Sequence, residues 1–521
     1  MSKWINETVD FCIVGAGAAG SVLAKELSED GFSVVLLEAG PLMDPQSEWV
    51  SDEVEMNSML AWNDLRIVEG KNPLKMGHNN SGKGVGGGTN HFSGVSLRFH
   101  PSDFKVKSKD GVAEDWPIGY KDLEPYYTIL EKEIGVSGPK HFPWGAFNGP
   151  YPLPQRNPVN AVAEVFMVGC ERLGIRSSVV PLAILSMPHN DRPPCTNRGF
   201  CNQGCIPNAK FSTLITYARW AENAGAEIRQ NSMATRIETS KGKVTGVEYT
   251  HEGKEILQKA KVVILSAFVI ETPRLLFNSS TPKFPDGLAN SSGMVGKNLM
   301  PHSSHDIYAR FDKEILPYKG TPVMATTQDF YETNENNGYV RGFSIHSHGF
   351  RPVGFVRQVA GHYLLYGEHL REVTRDYNHY SRVTLIGEVL PNEKNCVTLD
   401  PNIKDSYGLP VPRISFSYGE NDLAIIESGI AKCKDIMEAA DGKVEFVVED
   451  SAHLMGTCRM GNDPKNSVVN EYCQSHDIPN LFICDASVFV TSTPANPTLT
   501  VMAIAKRTGD YIKEKAKMGD L

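Results

Sequence analysis

The chain has little clustered positive charge: lysine and arginine total 52 against 61 aspartates and glutamates, a net charge of −9 over 521 residues, and no Lys/Arg-rich run occurs. Nucleic acid and anionic membrane both need clustered cations, so neither is expected as a partner. The opening Met1-Ser2-Lys3-Trp4-Ile5-Asn6-Glu7 lacks the basic start and long apolar stretch of a signal peptide. No later apolar run reaches the roughly 18 residues of a membrane span. A cytoplasmic protein without a direct membrane span is the expectation, although export on a partner's signal would leave the same mark. No Cys-x-x-Cys-His occurs, which excludes a c-type haem attachment site. The ten cysteines are dispersed, except for Cys195, Cys201 and Cys205. What is present is ordinary globular composition, 41% hydrophobic and 22% charged, which rules out disorder for most of the chain. The length calls for more than one core or one large composite core.

Residues 9 to 14, Val-Asp-Phe-Cys-Ile-Val, form a short apolar run typical of a buried parallel strand, and Gly15-Ala16-Gly17-Ala18-Ala19-Gly20 follows at once. A helix through Val22, Leu23 and Leu27 ends at Gly31, and a second apolar strand from Ser33 to Leu37 leads into Glu38-Ala39-Gly40. The glycines serve a tight turn, close approach of backbone to a pyrophosphate, and close helix-to-strand packing. The helix amino terminus then faces the phosphates. Glu38 is placed to accept hydrogen bonds from a ribose diol and would repel a 2′-phosphate, which argues against NADP. On spacing alone, FAD and NAD both remain open.

Near the other end lie Ser451-Ala452-His453-Leu454-Met455-Gly456-Thr457, the strand Asn480 to Cys484 with Asp485-Ala486-Ser487, and Asn496-Pro497-Thr498 opening an apolar helix. To these are added Gly84-Val85-Gly86-Gly87-Gly88-Thr89-Asn90-His91, the stretch from Trp116-Pro117 to Tyr127, and Val262 to Leu276. Together with the first forty residues, these segments resemble the glucose-methanol-choline (GMC) oxidoreductases, in the branch of gluconate and glucoside dehydrogenases and pyranose oxidases. The resemblance runs over nearly the whole chain in family order.

The resemblance implies FAD rather than NAD, and an α/β fold with a discontinuous Rossmann-like FAD-binding domain and an α+β substrate domain around an antiparallel sheet. The FAD domain would comprise residues 1–100, 190–300 and 445–521, and the substrate domain residues 101–189 and 301–444. Cofactor contacts are expected from Gly15, Gly17, Ala18, Ala19, Gly20, Glu38, Ala39, Gly86, Gly87, Thr89, Asn90, His91, Ala234, Ala267, Thr272, Asp485, Ala486, Asn496, Pro497 and Thr498. One departure stands out: Ser266-Ala267-Phe268 replaces the family's small residues, so Phe268 would crowd the backbone near the adenosine half. His91 matches a histidine that is bonded to the flavin in some members and only touches it in others; an unrelated role is the third reading.

Alcohol oxidation needs a base near neutral pH, and histidine supplies one. His453 lies in the segment resembling the family's H-x-x-G-T and is the expected base. Asn496 holds the second active-site position; an amide cannot act as base but can orient a hydroxyl. The same Asn496 is expected to cap the following helix, with Pro497 at its first position.

Cys195, Cys201 and Cys205 sit in a loop rich in Gly, Pro and Asn, where three thiols can converge. Their spacing matches that of the iron-sulfur ligands in FAD subunits of membrane-linked sugar dehydrogenases, which would make a 3Fe-4S cluster. Metal-free thiols packed beside the flavin, or a disulfide, are the alternatives. His346 and His348 share one face of a strand, facing either the substrate cavity or solvent, and His302 and His305 read as structural or flavin-proximal. The resulting expectation is FAD-dependent oxidation of a hydroxyl of a sugar, glycoside or polyol, with electrons leaving to a non-NAD acceptor, an electron-acceptor protein or a small subunit. Alternatives are an oxidase producing hydrogen peroxide, an aminoglycoside-type dehydrogenase, a lyase on the same fold and, least favoured, a pure binding protein.

Overall fold

The computed structural model describes residues 7–147, 149–156 and 158–521, so the opening stretch read for a signal peptide lies almost wholly outside it. The apolar run becomes the strand Thr8–Val14, which pairs in parallel with Val34–Leu37 on one side and with Lys254–Leu265 on the other. Burial on both faces is what an unbroken apolar strand requires. The sheet continues outward to Glu227–Arg229 at one edge and through Lys243–His251 to Ser232–Ser240 at the other. Lys254–Leu265 serves two partners along its length: residues 254–259 pair antiparallel with Lys243–His251, and residues 263–265 pair parallel with Leu481–Ile483. Three distant stretches of chain thus meet in one Rossmann-like sheet. Helix Ala18–Glu29 covers it and packs against the terminal helix Thr498–Met518.

A second sheet runs in the order Lys443–Met455, Met300–Arg310, Tyr380–Gly387, Phe343–His348, Val323–Thr327, Ser178–Val179, with every neighbouring pair antiparallel. Helices Ala161–Arg172 and Glu420–Ala439 close its back, burying Phe166, Ile307, Phe343, Leu385 and Ile436 in a separate core. The two helices cross at Gly169, where an added Cβ would lie 2.1 Å from the Ile436 carbonyl oxygen. A three-stranded sheet of Cys396–Lys404, Pro410–Ser415 and Ile67–Glu69 flanks the junction. Among the described residues no helix is long and apolar enough to cross a membrane.

Two segments sit differently from the expected division. Residues 101–134 pack into the first core through Trp116, Tyr127 and Leu130. They are held there by Trp116 Nε1 donating to Thr491 Oγ1 at 2.8 Å and by the Tyr127 and Thr500 hydroxyls at 2.8 Å. Residues 445–455 lie in the second sheet, because their strand pairs with Met300–Arg310.

The two units are joined by a buried guanidinium. Arg341, fully buried, reaches Glu388 Oε2 through Nε at 2.9 Å, Asp110 Oδ2 through Nη1 at 3.3 Å, and Asp103 through Nη2. Burial beside a second carboxylate pushes Glu388 up to about 7. Removing the cation strands three carboxylates in a dry interior, a change that costs about 3–5 kcal/mol. Arg341→Met is expected to lower the thermal unfolding midpoint by several degrees, whereas Glu388→Gln lowers it far less. Equal midpoints for the wild type and Arg341→Met in a calorimetric scan would contradict this.

Candidate active site

A cavity of about 1300 Å³ opens between the two sheets, at the carboxyl ends of the parallel strands. This is where ligands of open α/β sheets bind. Its inner end is the glycine turn. An added Cβ on Gly15 would lie 2.3 Å from the Ser266 carbonyl oxygen and one on Gly20 would lie 1.9 Å from the Gly15 carbonyl oxygen, whereas one on Gly17 meets nothing within 4 Å. Gly15 and Gly20 therefore close the turn, and Gly17 leaves the cradle a phosphate group needs at the start of helix Ala18–Glu29. Glu38 Oε2 accepts from the Ala16 N–H at 2.9 Å, and Oε1 accepts from Gly40 and Gly84 at 2.9 and 3.0 Å. The carboxylate thus braces the turn while still lining the cavity. Phe268 has φ +87, a left-handed conformation unfavourable for its side chain, and is fixed there by its N–H donating to Asp485 Oδ2 at 3.1 Å. Its ring lies on the cavity wall with the Arg66 guanidinium 5.9 Å from the ring centroid.

At the other end, the strand Lys443–Met455 carries a bulge: Met300 pairs with Met455 but His302 pairs with Ala452, leaving one extra residue in between. The bulge gives His453 φ +55 and turns its ring into the cavity. Hydrogen-bond directions then fix its tautomer. His302 Nε2 lies 2.5 Å from the Thr493 carbonyl oxygen and 3.2 Å from that of Ser492, so it carries the proton and donates. His302 Nδ1 is therefore an acceptor, and His453 Nδ1, 2.9 Å away, donates to it. His453 Nε2 is left with its lone pair in the cavity, 3.3 Å from Asn496 Nδ2. Burial keeps both rings neutral, with His302 pushed down to about 4 and His453 held well below its ordinary range. The helix after Asn496 begins at Thr498 and has no side-chain cap, so Asn496 serves His453 and does not cap as expected.

The loop 82–91 forms a third wall. His91 is buried, its Nε2 has no hydrogen-bond partner among the described residues, and burial holds it well below the ordinary histidine range. His78, unremarked in the sequence, stacks on it with centroids 4.5 Å apart and also lines the cavity. Lys210 underpins the loop by donating to the Thr89 and Asn90 carbonyl oxygens at 2.8 and 3.2 Å, and burial pushes it down to about 8. Its own N–H lies 3.3 Å from Cys205 Sγ, which links the loop 82–91 to the cysteine segment. Gly199, Asn202 and Gln203 of that segment border the cavity, but the three cysteines do not. Burial, with help from Cys205 and Cys195, pushes the Cys201 thiol up to about 12. All ten cysteines are free, and no group of three His, Cys, Asp or Glu side chains among the described residues is placed to hold a metal ion. The three thiols thus lie near enough for Cys205 and Cys195 to act on Cys201, without forming a ligand set as they stand.

Most of the expected cofactor residues meet on this one cavity: Gly15, Gly17, Ala18, Ala19, Glu38, Ala39, Gly87, Thr89, His91, Ala234, Ala267, Asp485, Ala486, Asn496, Pro497 and Thr498 all line it, as does His453. Four stand behind the wall. Gly20 closes the turn; Asn90 Nδ2 donates to the Val85 carbonyl oxygen at 2.8 Å and its Oδ1 packs beneath Gly86; Thr272 Oγ1 donates to Asp485 Oδ2 at 2.7 Å. Each shapes a neighbour that does face the cavity. His302, read from the sequence as structural or flavin-proximal, meets His453 in a contact that the sequence did not show, because the fold alone brings the two together.

The GMC oxidoreductase profile matches residues 9–304 for its amino-terminal part and 391–505 for its carboxy-terminal part. The 2-methyl-1,2-propanediol dehydrogenase of Mycolicibacterium austroafricanum is 33% identical over 98% of this chain and 96% of its own length. The fructose dehydrogenase large subunit of Gluconobacter japonicus is 30% identical over 99% of this chain and all of its own. The 6'''-hydroxyparomomycin C oxidase of Streptomyces lividus is 30% identical over 96% and 91%. Among solved structures, Aspergillus oryzae formate oxidase superposes with TM-score 0.73 at 17% identity, covering 99% of both chains, and shares the fold. With His453, Asn496 and the glycine turn on one cavity, these matches show that the chain belongs to the GMC oxidoreductases, FAD-dependent enzymes that act on CH–OH groups.

Proposed function

We propose that the chain oxidises a hydroxyl-bearing carbon of a sugar, glycoside or polyol and passes the electrons to an acceptor other than NAD. The observation that carries this is the unprotonated His453 Nε2 held in the cavity by the His302 contact. The residues present fit FAD: the open face of Gly17 and the start of helix Ala18–Glu29 suit its pyrophosphate, and the unpartnered His91 Nε2 faces the same space. Bound FAD supplies the acceptor for the hydride leaving the carbinol carbon. His453 Nε2 takes the hydroxyl proton, Asn496 orients the oxygen, and the product is an aldehyde, ketone or lactone. The start of helix Thr498–Met518 lines the cavity, and its positive end would favour negative charge on FAD bound there. Names of relatives that act on a diol, a sugar and an aminoglycoside support the substrate class.

His453→Ala is expected to keep FAD and lose about 10²- to 10⁴-fold in the rate of anaerobic flavin reduction. Because His453 is held below its ordinary range, its neutral form prevails throughout pH 6–9. The wild-type rate should be flat across that window and fall only under more acid conditions. A steep rise between pH 7 and 9, or unchanged kinetics in His453→Ala, would remove His453 as the base. His302→Leu frees the ring of His453 to turn and to change tautomer. It should lower the rate by about 10²-fold, the cost of misplacing a catalytic group, with flavin content unchanged; full activity in this variant would contradict the tautomer argument.

Two finer features belong to the same reading. The three-cysteine loop borders the cavity and carries the spacing of an iron-sulfur relay, so we infer a 3Fe-4S cluster on Cys195, Cys201 and Cys205. As they stand the three thiols are not a ligand set, and assembling the cluster would draw them together. The unpartnered nitrogen of His91 supports a covalent bond to FAD. One sample tests both features: about three irons per flavin and absorbance beneath the flavin bands are expected, with flavin staying on acid-precipitated polypeptide. Iron-free protein with a full complement of FAD would overturn the cluster and turn the search for the acceptor to oxygen and hydrogen peroxide. Flavin released by acid would overturn the bond.

A further inference from the structure

The sheet that carries His453 holds two more histidines that the proposed chemistry does not use. His346 and His348 are alternate residues of the strand Phe343–His348, so both rings leave the same face, and both line the cavity. Their hydrogen-bond partners fix their tautomers as strictly as that of His453. The Ser344 hydroxyl donates to the Pro494 carbonyl oxygen at 2.7 Å, so toward His346 Nε2, 3.3 Å away, it can only accept. His346 Nε2 therefore carries the proton and Nδ1 carries the lone pair. On the next position, the Thr384 hydroxyl donates to Asp306 Oδ1 at 2.6 Å, so it accepts from His348 Nδ1 at 3.1 Å and leaves the lone pair on Nε2.

Both lone pairs lack a partner: His346 Nδ1 and His348 Nε2 are buried atoms with no hydrogen bond among the described residues. Buried acceptors are almost always satisfied, and two orphans of the same kind on one cavity wall call for donors arriving from the cavity. The nearby cation does not supply them: Arg382 is turned to Asp306 Oδ2 at 2.8 Å and to the Tyr308 hydroxyl at 3.2 Å. Asp306 is likewise occupied, by Thr384, Arg382 and Gln358. Burial pushes His346 down to about 3 and holds His348 well below its ordinary range, so both rings stay neutral acceptors at working pH. A neutral acceptor attracts O–H and repels a carboxylate oxygen.

We propose that His346 Nδ1 and His348 Nε2 form a hydroxyl-receiving subsite on the same sheet and cavity as His453, selecting neutral substrates that carry a further hydroxyl close to the one being oxidised. The inference rests on the oxidation proposed above and narrows its substrate class to vicinal diols and polyols, sugars included, while disfavouring hydroxy acids. A substrate with one hydroxyl leaves both buried nitrogens without a donor from the substrate. Sites built to bind a substrate hydroxyl discriminate by up to about 10⁵-fold against the analogue that lacks it. With two acceptors in a partly open cavity, a preference of roughly 10²- to 10⁴-fold is expected here.

The test compares 1,2-propanediol, 1-propanol and lactate as reductants of the flavin in the full-length, FAD-loaded protein under anaerobic conditions. Pinacol and tert-butanol serve as a diol and a mono-ol that cannot be oxidised, with their binding read from shifts in the flavin spectrum. In the wild type the diol should reduce the flavin with a kcat/KM at least 10²-fold above the mono-ol and the acid, and pinacol should bind more tightly than tert-butanol. His346→Phe and His348→Phe should each pull the diol to mono-ol ratio toward unity. Equal use of diol and mono-ol by the wild type, or an undiminished ratio in variants that retain FAD, would overturn the subsite, and the wild-type arm holds even where a variant fails to fold. If neither alcohol reduces the flavin while pinacol still binds more tightly than tert-butanol, the subsite stands and the proposed oxidation falls.

Discussion

The arrangement turns on a proton donated from His302 Nε2 to the carbonyl oxygens of Thr493 and Ser492. A peptide carbonyl can only accept, so this contact is a fixed end from which every later direction follows. His302 must accept on its other nitrogen, His453 must donate to it, and the basic lone pair must point into the cavity. No charge is needed at any link, which suits an interior in which burial already holds both rings neutral. A carboxylate in the place of His302 would also orient the ring, but it would raise the proton affinity of His453 and carry a buried charge of its own. The neutral chain keeps the base unprotonated and receptive before substrate enters.

The same loop serves the neighbouring wall. Pro494, next to Thr493, accepts from Ser344, and Ser344 in turn sets the tautomer of His346. Residues 492–496 therefore act as a common reference for histidines on two different strands of the second sheet. The loop leads directly into Asn496 and the helix Thr498–Met518, which packs on the first helix of the dinucleotide sheet. Displacing that helix would move the hydrogen-bond reference as well as the cradle beneath it. This explains why the terminal segment spans both units although most of its helix belongs to one.

Much of the fold could be read from the sequence wherever structure follows from local pattern. The run Val9–Val14, the glycine turn and Glu38 declare themselves within thirty residues, since a strand, a turn and a helix follow one another without help from elsewhere. His453 and Asn496 were legible through resemblance, and the cavity receives both. Other features were not legible, for identifiable reasons. His302 meets His453 across 151 positions of chain through a bulge whose extra residue is visible only once the two strands are paired. Asn90 and Thr272 carry the right residue types in the right segments, yet they turn behind the wall, because a motif records that a position matters and not which way its side chain points. Residues 101–134 looked like part of the substrate unit by position and pack with the first core because Trp116 and Tyr127 find their partners on the last loop and helix.

Backbone conformation gives a further reason to read these residues as one device. His453, Thr493 and Phe268 all have positive φ, and none is a glycine. Each such residue costs on the order of 1–3 kcal/mol and persists only where its surroundings over-determine it. The surroundings here do so: the bulge and His302 fix His453, the carbonyl of Thr493 is held by the same ring, and Phe268 is pinned through its N–H to Asp485. At an ordinary surface turn, selection for stability would favour glycine or asparagine at such positions. At His453 and Thr493 either substitution would keep or relax the backbone, but one would remove the imidazole and both would loosen the loop that aims it. Phe268 differs, because its side chain makes no hydrogen bond; what it adds is an aromatic wall of the cavity under Arg66. Strain is thus concentrated around the one cavity, where rigid placement of a ring outweighs the stability it costs.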